Sequence, residues 1–158
     1  MKTLIAWLVI LVVPIATNAQ KKPGEAGSIA GIEIKGDAAA GSRVTAVVKV
    51  KLDKGYHVHS NKPSQPEFIP TVLTLEPGAG VKAGTIGYPI GKSEKVAGLD
   101  KPLSIYEDHF EISVPLGLAA SVKLPIVVPA TLGYQACQGA KCYAPQQLKF
   151  EIRLPAAQ

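Results

Sequence analysis

The two cysteines, Cys137 and Cys142, are the residues of this 158-residue chain whose type and spacing most directly suggest redox chemistry. Four residues separate them, and one of these is Gly139, which can take the positive φ that a tight turn often needs. A turn of this length lets two Cα atoms approach within the roughly 4.4–6.8 Å that a disulfide requires. Tyr134 and Tyr143 flank the pair, in a segment that we expect near the edge of a β-sheet.

A disulfide between these cysteines is open to two interpretations, a structural cross-link and a redox-active pair. The loop-entropy relation gives so small a ring about 2 kcal/mol of stabilisation, because a short loop constrains the unfolded chain only weakly. Lys141 lies beside Cys142 and would favour its thiolate, which is the attacking species in thiol–disulfide exchange. The spacing alone does not decide between the two interpretations.

A second set of candidate residues is the pair His57 and His59. On a strand, the two imidazoles point to the same face, as metal ligands would. With Cys137, Cys142 or His109 nearby, they would form a copper or zinc site. The alternative is that both imidazoles are partly exposed and make hydrogen bonds beside a loop.

Alternating apolar and polar residues predict the strands that must position these side chains. The strongest alternation lies in residues 43–52, and no window of eleven residues keeps a helical period. Fifteen Gly and thirteen Pro also favour short strands and turns over long helices. We therefore predict an all-β fold, an immunoglobulin-like antiparallel β-sandwich of about seven strands. The other predicted strands are residues 29–34, 71–75, 110–114, 122–128 and 147–154.

The N-terminus has the pattern of a signal peptide. Lys2 precedes ten apolar residues at 4–13, and small residues at positions 17 and 19 indicate cleavage after Ala19. The apolar run is about half the length of a membrane-spanning helix. We predict a signal peptide at 1–19, a flexible leader at 20–28 and one folded domain at 29–155.

The predicted export and the distribution of charge limit the compartments and the partners that we expect for this protein. An exported domain, periplasmic or secreted, meets an oxidising compartment where a cysteine pair can persist as a disulfide. The formal net charge is +5, but the longest basic run is Lys21 and Lys22. Without a dense basic patch among aromatic residues, nucleic acid is not an expected partner. We expect a monomer that needs no cofactor.

Three elements of the sequence resemble the periplasmic N-terminal domain of the protein-disulfide reductase DsbD. Residues 134–137 (YQAC) and 142–145 (CYAP) resemble that family's cysteine motif. Residues 55–59 (GYHVH) are similar to its Gly-Tyr strand, and residues 91–94 (GKSE) match an element beside its active site. The resemblance covers residues 29–154 in order.

This resemblance implies an immunoglobulin-like domain whose cysteine pair shuttles electrons. It implies that Cys142 is the attacking thiol and Cys137 the resolving thiol. It also implies a cap loop at residues 88–91, where Tyr88 or Ile90 would shield the pair. In the family, a thioredoxin-like domain fed by a membrane electron carrier reduces the pair, which then reduces periplasmic partners. The sequence shows neither of those parts, so we expect separate proteins to supply them or the domain to have been reused.

The family resemblance also places His57 and His59 where family members have tyrosines. Our leading hypothesis is an exported thiol–disulfide exchange module, and so a protein thiol–disulfide oxidoreductase. It would pass electrons between a thioredoxin-like donor and periplasmic acceptor proteins. The alternative is a periplasmic copper-binding module that uses His57, His59 and a cysteine thiolate. A third hypothesis is an interaction domain with an inert disulfide.

Overall fold

The computed structural model describes residues 21–96 and 101–155 of the chain. The predicted signal peptide at 1–19 lies outside this part. The described residues form twelve β-strands, and among them no helix is long and apolar enough to cross a membrane. The strands are β1 (Gly27–Lys35), β2 (Arg43–Leu52), β3 (His57–His59), β4 (Val72–Leu75), β5 (Val81–Ala83), β6 (Lys92–Glu94), β7 (Leu103–Glu107), β8 (His109–Leu118), β9 (Ile126–Tyr134), β10 (Ala136–Gln138), β11 (Lys141–Cys142) and β12 (Gln146–Leu154).

The strands form three antiparallel sheets around one apolar core. Their orders are β1-β2-β8-β5, then β11-β10-β3-β7-β6, and finally β12-β9-β4. Side chains from all three sheets, including Val48, Val58 and Leu132, belong to the same buried cluster. The arrangement is an immunoglobulin-like antiparallel β-sandwich, which confirms the predicted fold class.

The pairing of β2 with β8 shows how apolar alternation builds this core. Val48 lies opposite Ile112, and neither side chain is exposed to solvent. Lys51 points to the outer face and is exposed, as the period of two requires. Four other predicted strands coincide with observed ones, at residues 29–34 in β1, 71–75 around β4, 110–114 in β8 and 147–154 in β12.

Several strand boundaries differ from the prediction, and the two clearest cases lie near prolines. β8 continues through Pro115 instead of ending before it. Pro115 lacks an N–H, but its carbonyl still accepts a hydrogen bond from the Gly84 N–H at 2.8 Å. β9 extends over Ile126–Tyr134 instead of residues 122–128, and it continues through Pro129. It does not begin at Val122, because the Val122 N–H donates to the Ala119 carbonyl in a turn.

Most of the strands that the sequence did not predict are short. β5, β6, β7, β10 and β11 have two to five residues each, which is too few for a reliable alternating pattern. Alternation does not mark β3 either, because all three of its residues are buried; a strand at residues 55–59 was expected from the family resemblance alone. These additions raise the strand number in the described residues from the expected seven to twelve.

The predicted leader at residues 20–28 reaches further into the fold than its composition suggests. β1 begins at Gly27, and Ala26 is buried. The Ala26 carbonyl accepts a hydrogen bond from the Asp53 N–H at 2.8 Å. The Gly27 N–H donates to the Tyr134 hydroxyl at 3.1 Å. These contacts attach the last residues of the predicted leader to the core.

The cysteine segment lies where the chain changes from one sheet to another. The ladder between β9 and β12 ends at the pair Tyr134 and Gln146. Residues 135–145 then leave this sheet, and β10 pairs with β3 through Ala136 opposite Val58. The chain then turns, and β11 forms the edge of the five-stranded sheet. The fold therefore places the cysteines on a short hairpin at a sheet edge, as expected from the sequence.

Candidate redox site

Cys137 and Cys142 form a disulfide between adjacent strands of this hairpin. Cys137 on β10 lies directly opposite Cys142 on β11, and their Cα atoms are 4.0 Å apart. Gly139 in the connecting turn has a φ of 55°, a conformation that glycine adopts at little cost. The four-residue spacing therefore produces a cross-strand disulfide, closed by the turn that the glycine permits.

The two cysteines differ sharply in exposure. Cys137 is 0% exposed, because β10 lies between β3 and β11 within the sheet. Cys142 is on the edge strand and is an exposed residue. A thiol or disulfide of another protein can therefore approach the pair only from the side of Cys142. The attacking role of Cys142 and the resolving role of Cys137, which the family resemblance implies, stay a prediction.

Tyr143 supports the hairpin from its C-terminal side. Its N–H donates to the Ala136 carbonyl at 2.9 Å, and its hydroxyl donates to Gln138 Oε1 at 2.7 Å. The Gln135 side chain donates to the Tyr143 carbonyl at 2.9 Å. Lys141 Nζ lies 5.2 Å from the centre of the Tyr143 ring, a cation–π distance. Tyr143 thus holds the hairpin, and its ring positions the ammonium group of Lys141.

Tyr134, the other tyrosine of the motif, has a different position. It is buried in the main core, and its hydroxyl accepts the hydrogen bond from Gly27. Burial raises the pKa of Tyr134, and the hydrogen bond from Gly27 opposes that rise only in part. Tyr134 therefore joins the N-terminal strand to the base of the hairpin.

His59 is the imidazole that the fold brings to the disulfide. Its Nε2 lies 3.9 Å from Cys137 Sγ, and the residue is 1% exposed. The ring stacks on Phe68, with centroids 4.4 Å apart and planes inclined by 13°. The Thr71 hydroxyl donates to the His59 carbonyl at 2.6 Å. Both the backbone and the ring plane of His59 are therefore fixed.

His57 lies on the same strand but is not among the residues whose ligand atoms gather at the disulfide. Its Cα is opposite that of Cys137 in the ladder, and its ring centre is 6.4 Å from that of His59. Burial lowers the pKa of His57, while Glu94 and Glu107 oppose that shift. Burial also lowers the pKa of His59, and His57 adds to the effect. Both imidazoles are therefore predominantly neutral at pH 7.

The expectation of two partly exposed, hydrogen-bonded imidazoles is wrong, because both histidines are buried. Among the described residues, His57 Nε2 and His59 Nδ1 have no hydrogen-bond partner. The expected metal ligands also change. A ring nitrogen of His59 and the sulfurs of Cys137 and Cys142 lie within 4.8 Å of one another, and His57 and His109 are not in this group.

The predicted cap residues lie at the far side of the five-stranded sheet. Residues 88–91 precede β6, which is the edge opposite β11. The Tyr88 hydroxyl accepts a hydrogen bond from the Leu73 N–H at 2.8 Å, and the Pro89 carbonyl accepts one from the Tyr106 hydroxyl at 3.0 Å. Ile90 is 98% exposed. Shielding of the disulfide by Tyr88 or Ile90 stays a prediction.

Phe68 and Thr71, which fix His59, were not identified from the sequence. Phe68 belongs to the irregular segment between β3 and β4, where no periodic pattern applies. Thr71 is fully buried, although threonine is usually exposed. A weak signal was the short apolar stretch beginning at Phe68, followed by Pro70. Their contacts with His59 depend on the tertiary fold.

Fold and site together define a class: an immunoglobulin-like domain with a cross-strand disulfide of one buried and one exposed cysteine. The sequence matches the family profile described as thiol:disulfide interchange protein DsbD, N-terminal, over residues 32–154. The chain therefore belongs to the family of DsbD N-terminal domains. No match was found among curated proteins.

Two solved structures share the fold at low sequence identity. The N-terminal domain of DsbD from Neisseria meningitidis, in the reduced form, is 18% identical with a TM-score of 0.50. That match covers 89% of this chain and 95% of the other. The N-terminal periplasmic domain of ScsB from Proteus mirabilis is 12% identical with a TM-score of 0.58. This match covers 87% of this chain and 51% of the ScsB chain, so this chain spans about half the length of that relative.

Proposed function

We propose that this chain is a periplasmic thiol–disulfide exchange module that works through Cys137 and Cys142. It would pass electrons from a thioredoxin-like donor to periplasmic acceptor proteins. Membership of the DsbD N-terminal family and the cross-strand disulfide support this function. The observation that carries the proposal is the difference in exposure, because a shuttling pair needs one accessible sulfur and one protected sulfur.

The transfer to an acceptor takes two steps. First, the Cys142 thiolate attacks one sulfur of the acceptor disulfide, and a mixed disulfide forms while the other acceptor sulfur leaves as a thiolate and takes up a proton. Next, the Cys137 thiol loses its proton and attacks Cys142 Sγ. The Cys137–Cys142 disulfide closes, and the first acceptor sulfur leaves as a thiolate. The acceptor gains two electrons, and the domain loses two.

The return to the reduced state is the same chemistry in reverse. A dithiol of a thioredoxin-like protein attacks the exposed Cys142, and Cys137 leaves as the thiolate. The second thiol of the donor then releases Cys142 and closes the donor's own disulfide. A membrane electron carrier would restore the donor. Lys141, the neighbour of Cys142 in the sequence, would support the step because its positive charge favours the Cys142 thiolate.

The periplasmic location is part of this proposal. It is supported by the family assignment and by the predicted signal peptide with cleavage near Ala19. The related ScsB domain is described as periplasmic. The folded domain would then extend over residues 29–155, with β1 beginning two residues earlier. Mass spectrometry of the protein secreted to the periplasm would show whether its N-terminus is Gln20.

Trapping of the mixed disulfide tests the exchange reaction. We expect Cys137→Ser to accumulate a covalent complex with a thioredoxin-like protein that keeps only its exposed cysteine, activated as a mixed disulfide with a small thiol. Neither protein then holds a second thiol that could release Cys142. Cys142→Ser is the matched control and should form no complex, since its remaining thiol is buried. Non-reducing electrophoresis measures both. Absence of the complex with the folded Cys137→Ser variant would contradict the proposal.

The reduction potential of the pair gives an independent test. Equilibration against glutathione and dithiothreitol buffers should place it roughly between −120 and −270 mV, where shuttling pairs lie. Structural disulfides of exported proteins typically lie below about −300 mV. A value in that lower range would make the pair an inert cross-link and overturn the proposal.

A further inference from the structure

We infer that the reduced form of this site binds one Cu(I) ion through Cys137, Cys142 and His59. The inference rests on the proposed function in one respect, since dithiol exchange with a thioredoxin-like donor supplies the reduced pair. It goes beyond that function because the ligand is a metal ion and His59 takes part. It also replaces the ligand set expected from the sequence, in which His57 and His59 were paired with one thiolate.

The donor atoms are already gathered by the fold. A ring nitrogen of His59 and both cysteine sulfurs lie within 4.8 Å of one another. The shortest approach of His59 to a sulfur is 3.9 Å, from Nε2 to Cys137 Sγ. Reduction breaks the S–S bond and frees both sulfurs to separate around an ion. Only side-chain movements are then required to bring three ligands to one metal.

His59 has the environment of a ligand rather than of an ordinary core residue. It is 1% exposed, and its Nε2 contacts a cysteine sulfur, a weak hydrogen-bond partner, at 3.9 Å. A metal ion would replace this weak contact with a bond to the same nitrogen. Stacking on Phe68 and the hydrogen bond from Thr71 hold the ring in place with Nε2 toward Cys137. The ring therefore needs little ordering to bind an ion there.

The ligand set selects the metal. Two thiolates and one imidazole are soft donors that favour Cu(I) or Zn²⁺ over Mg²⁺ or Ca²⁺. Structural Zn²⁺ sites almost always use four protein ligands, and this group contains three. Cu(I) accepts three. Binding converts both thiols to thiolates and releases two protons, and copper keeps its oxidation state throughout.

Access and charge also suit a small cation. Cys142 lies on the exposed edge strand and gives the ion a way in, while Cys137 and His59 are buried and keep bulk water from the other side. The site with Cu(I) and two thiolates carries one net negative charge. Lys141, which neighbours Cys142 in the sequence and lies over the Tyr143 ring, adds a positive charge on the same hairpin that partly offsets it.

Anaerobic titration of the full-length protein tests the inference. The protein is reduced with dithiothreitol, separated from it, and titrated with Cu(I) in competition with the chromophoric chelator bicinchoninate. We expect one Cu(I) per reduced chain and no tight binding by the disulfide form. Equal binding by the oxidised protein, or no competition by the reduced protein, would overturn the site.

Variants identify the ligands. Cys137→Ser and Cys142→Ser should each lower the Cu(I) affinity by about a hundredfold or more, and His59→Gln by roughly 10–100-fold. The matched control is His57→Gln, on the same strand and also buried but outside the ligand group. It should leave the affinity unchanged. An equal loss in His57→Gln and His59→Gln would contradict the assignment of His59.

X-ray absorption of the wild-type complex keeps the test decisive if a buried histidine variant does not fold. We expect a first shell of two sulfurs and one nitrogen. A shell of sulfur alone, or tight binding of Zn²⁺ with none of Cu(I), would overturn the inference.

The failure of this inference can be distinguished from the failure of the proposed function. Because chemical reduction replaces the donor protein, Cu(I) binding without mixed-disulfide trapping would refute only the proposed function. Trapping without Cu(I) binding would refute only this inference.

Discussion

The β2–β8 pair and the cysteine hairpin are built on opposite principles. In β2–β8, nine successive residue pairs from Arg43 to Lys51 bury an alternating apolar face. The hairpin of β10 and β11 has only two residue pairs, and hydrogen bonds of Tyr143 and one disulfide hold it. The first region is stabilised by apolar burial and the second by a few specific contacts. Stability and chemistry therefore reside in different parts of the domain.

Truncation of the central core should give the largest loss of stability. Ile112→Ala removes a fully buried side chain from β8 and should lower the free energy of unfolding by about 2–5 kcal/mol. The exchange rate of the folded protein should stay unchanged, because the hairpin is in another sheet. Urea unfolding and a mixed-disulfide assay measure the two effects. A slower exchange in the folded variant would show that the β2–β8 core and the redox hairpin are not independent.

Removal of both cysteines should have a smaller effect on stability and a complete effect on exchange. The double variant Cys137→Ser and Cys142→Ser should lose about 2 kcal/mol of unfolding free energy, as expected for so short a ring. Its exchange activity should vanish. Comparison with the wild-type protein in urea, oxidised and then reduced, separates the cross-link from the serine substitutions. A loss larger than that of Ile112→Ala would contradict the comparison.

Substitutions of the two tyrosines of the motif compare the stability contributed by the core with that contributed by the hairpin. Tyr134→Phe removes the acceptor for the Gly27 N–H and should cost about 1 kcal/mol of unfolding free energy. Exchange should be unaffected. Tyr143→Phe removes a hydrogen bond to the exposed Gln138 side chain and should cost less. Urea unfolding ranks the two variants, and the reverse order would show that the hairpin carries more of the stability.

The smallest effect is expected at the predicted cap. Ile90→Ser changes a side chain that is 98% exposed, so the unfolding free energy should change by less than about 0.5 kcal/mol. The rate of disulfide reduction by a small thiol should likewise stay unchanged, because residues 88–91 precede β6, at the sheet edge opposite β11. A clear acceleration would support the shielding that the family resemblance implies. Tyr88→Phe, which keeps the ring, is the companion variant.

Long alternating strands were predictable because successive side chains point alternately into the core and toward solvent. The runs in β2, β8 and β12 show this directly. β3 was not marked in this way, since His57, Val58 and His59 are all buried. Sequence spacing predicted a cysteine pair at a sheet edge, because a four-residue turn determines the separation of its ends.

The choice between the two histidines was beyond the sequence. Both lie on the same face of β3, so their spacing gives no reason to expect one rather than the other near the sulfurs. His59 is distinguished by Phe68 and Thr71, which come from an irregular segment and contact it only after folding. The position of the predicted cap relative to the disulfide could not be derived from the sequence for a similar reason. Its distance from β11 depends on the order of the five-stranded sheet.

The change of sheet at Tyr134 has one more consequence for the hairpin. Its two ends remain anchored in the ladder of β9 and β12, while β10 is joined to β3 and Tyr143 to Ala136 by main-chain bonds. None of these attachments involves sulfur. We therefore expect the loop to keep its shape when the S–S bond opens. Gain and loss of electrons would then need little reorganisation, and a docking protein would meet one rigid template in both oxidation states.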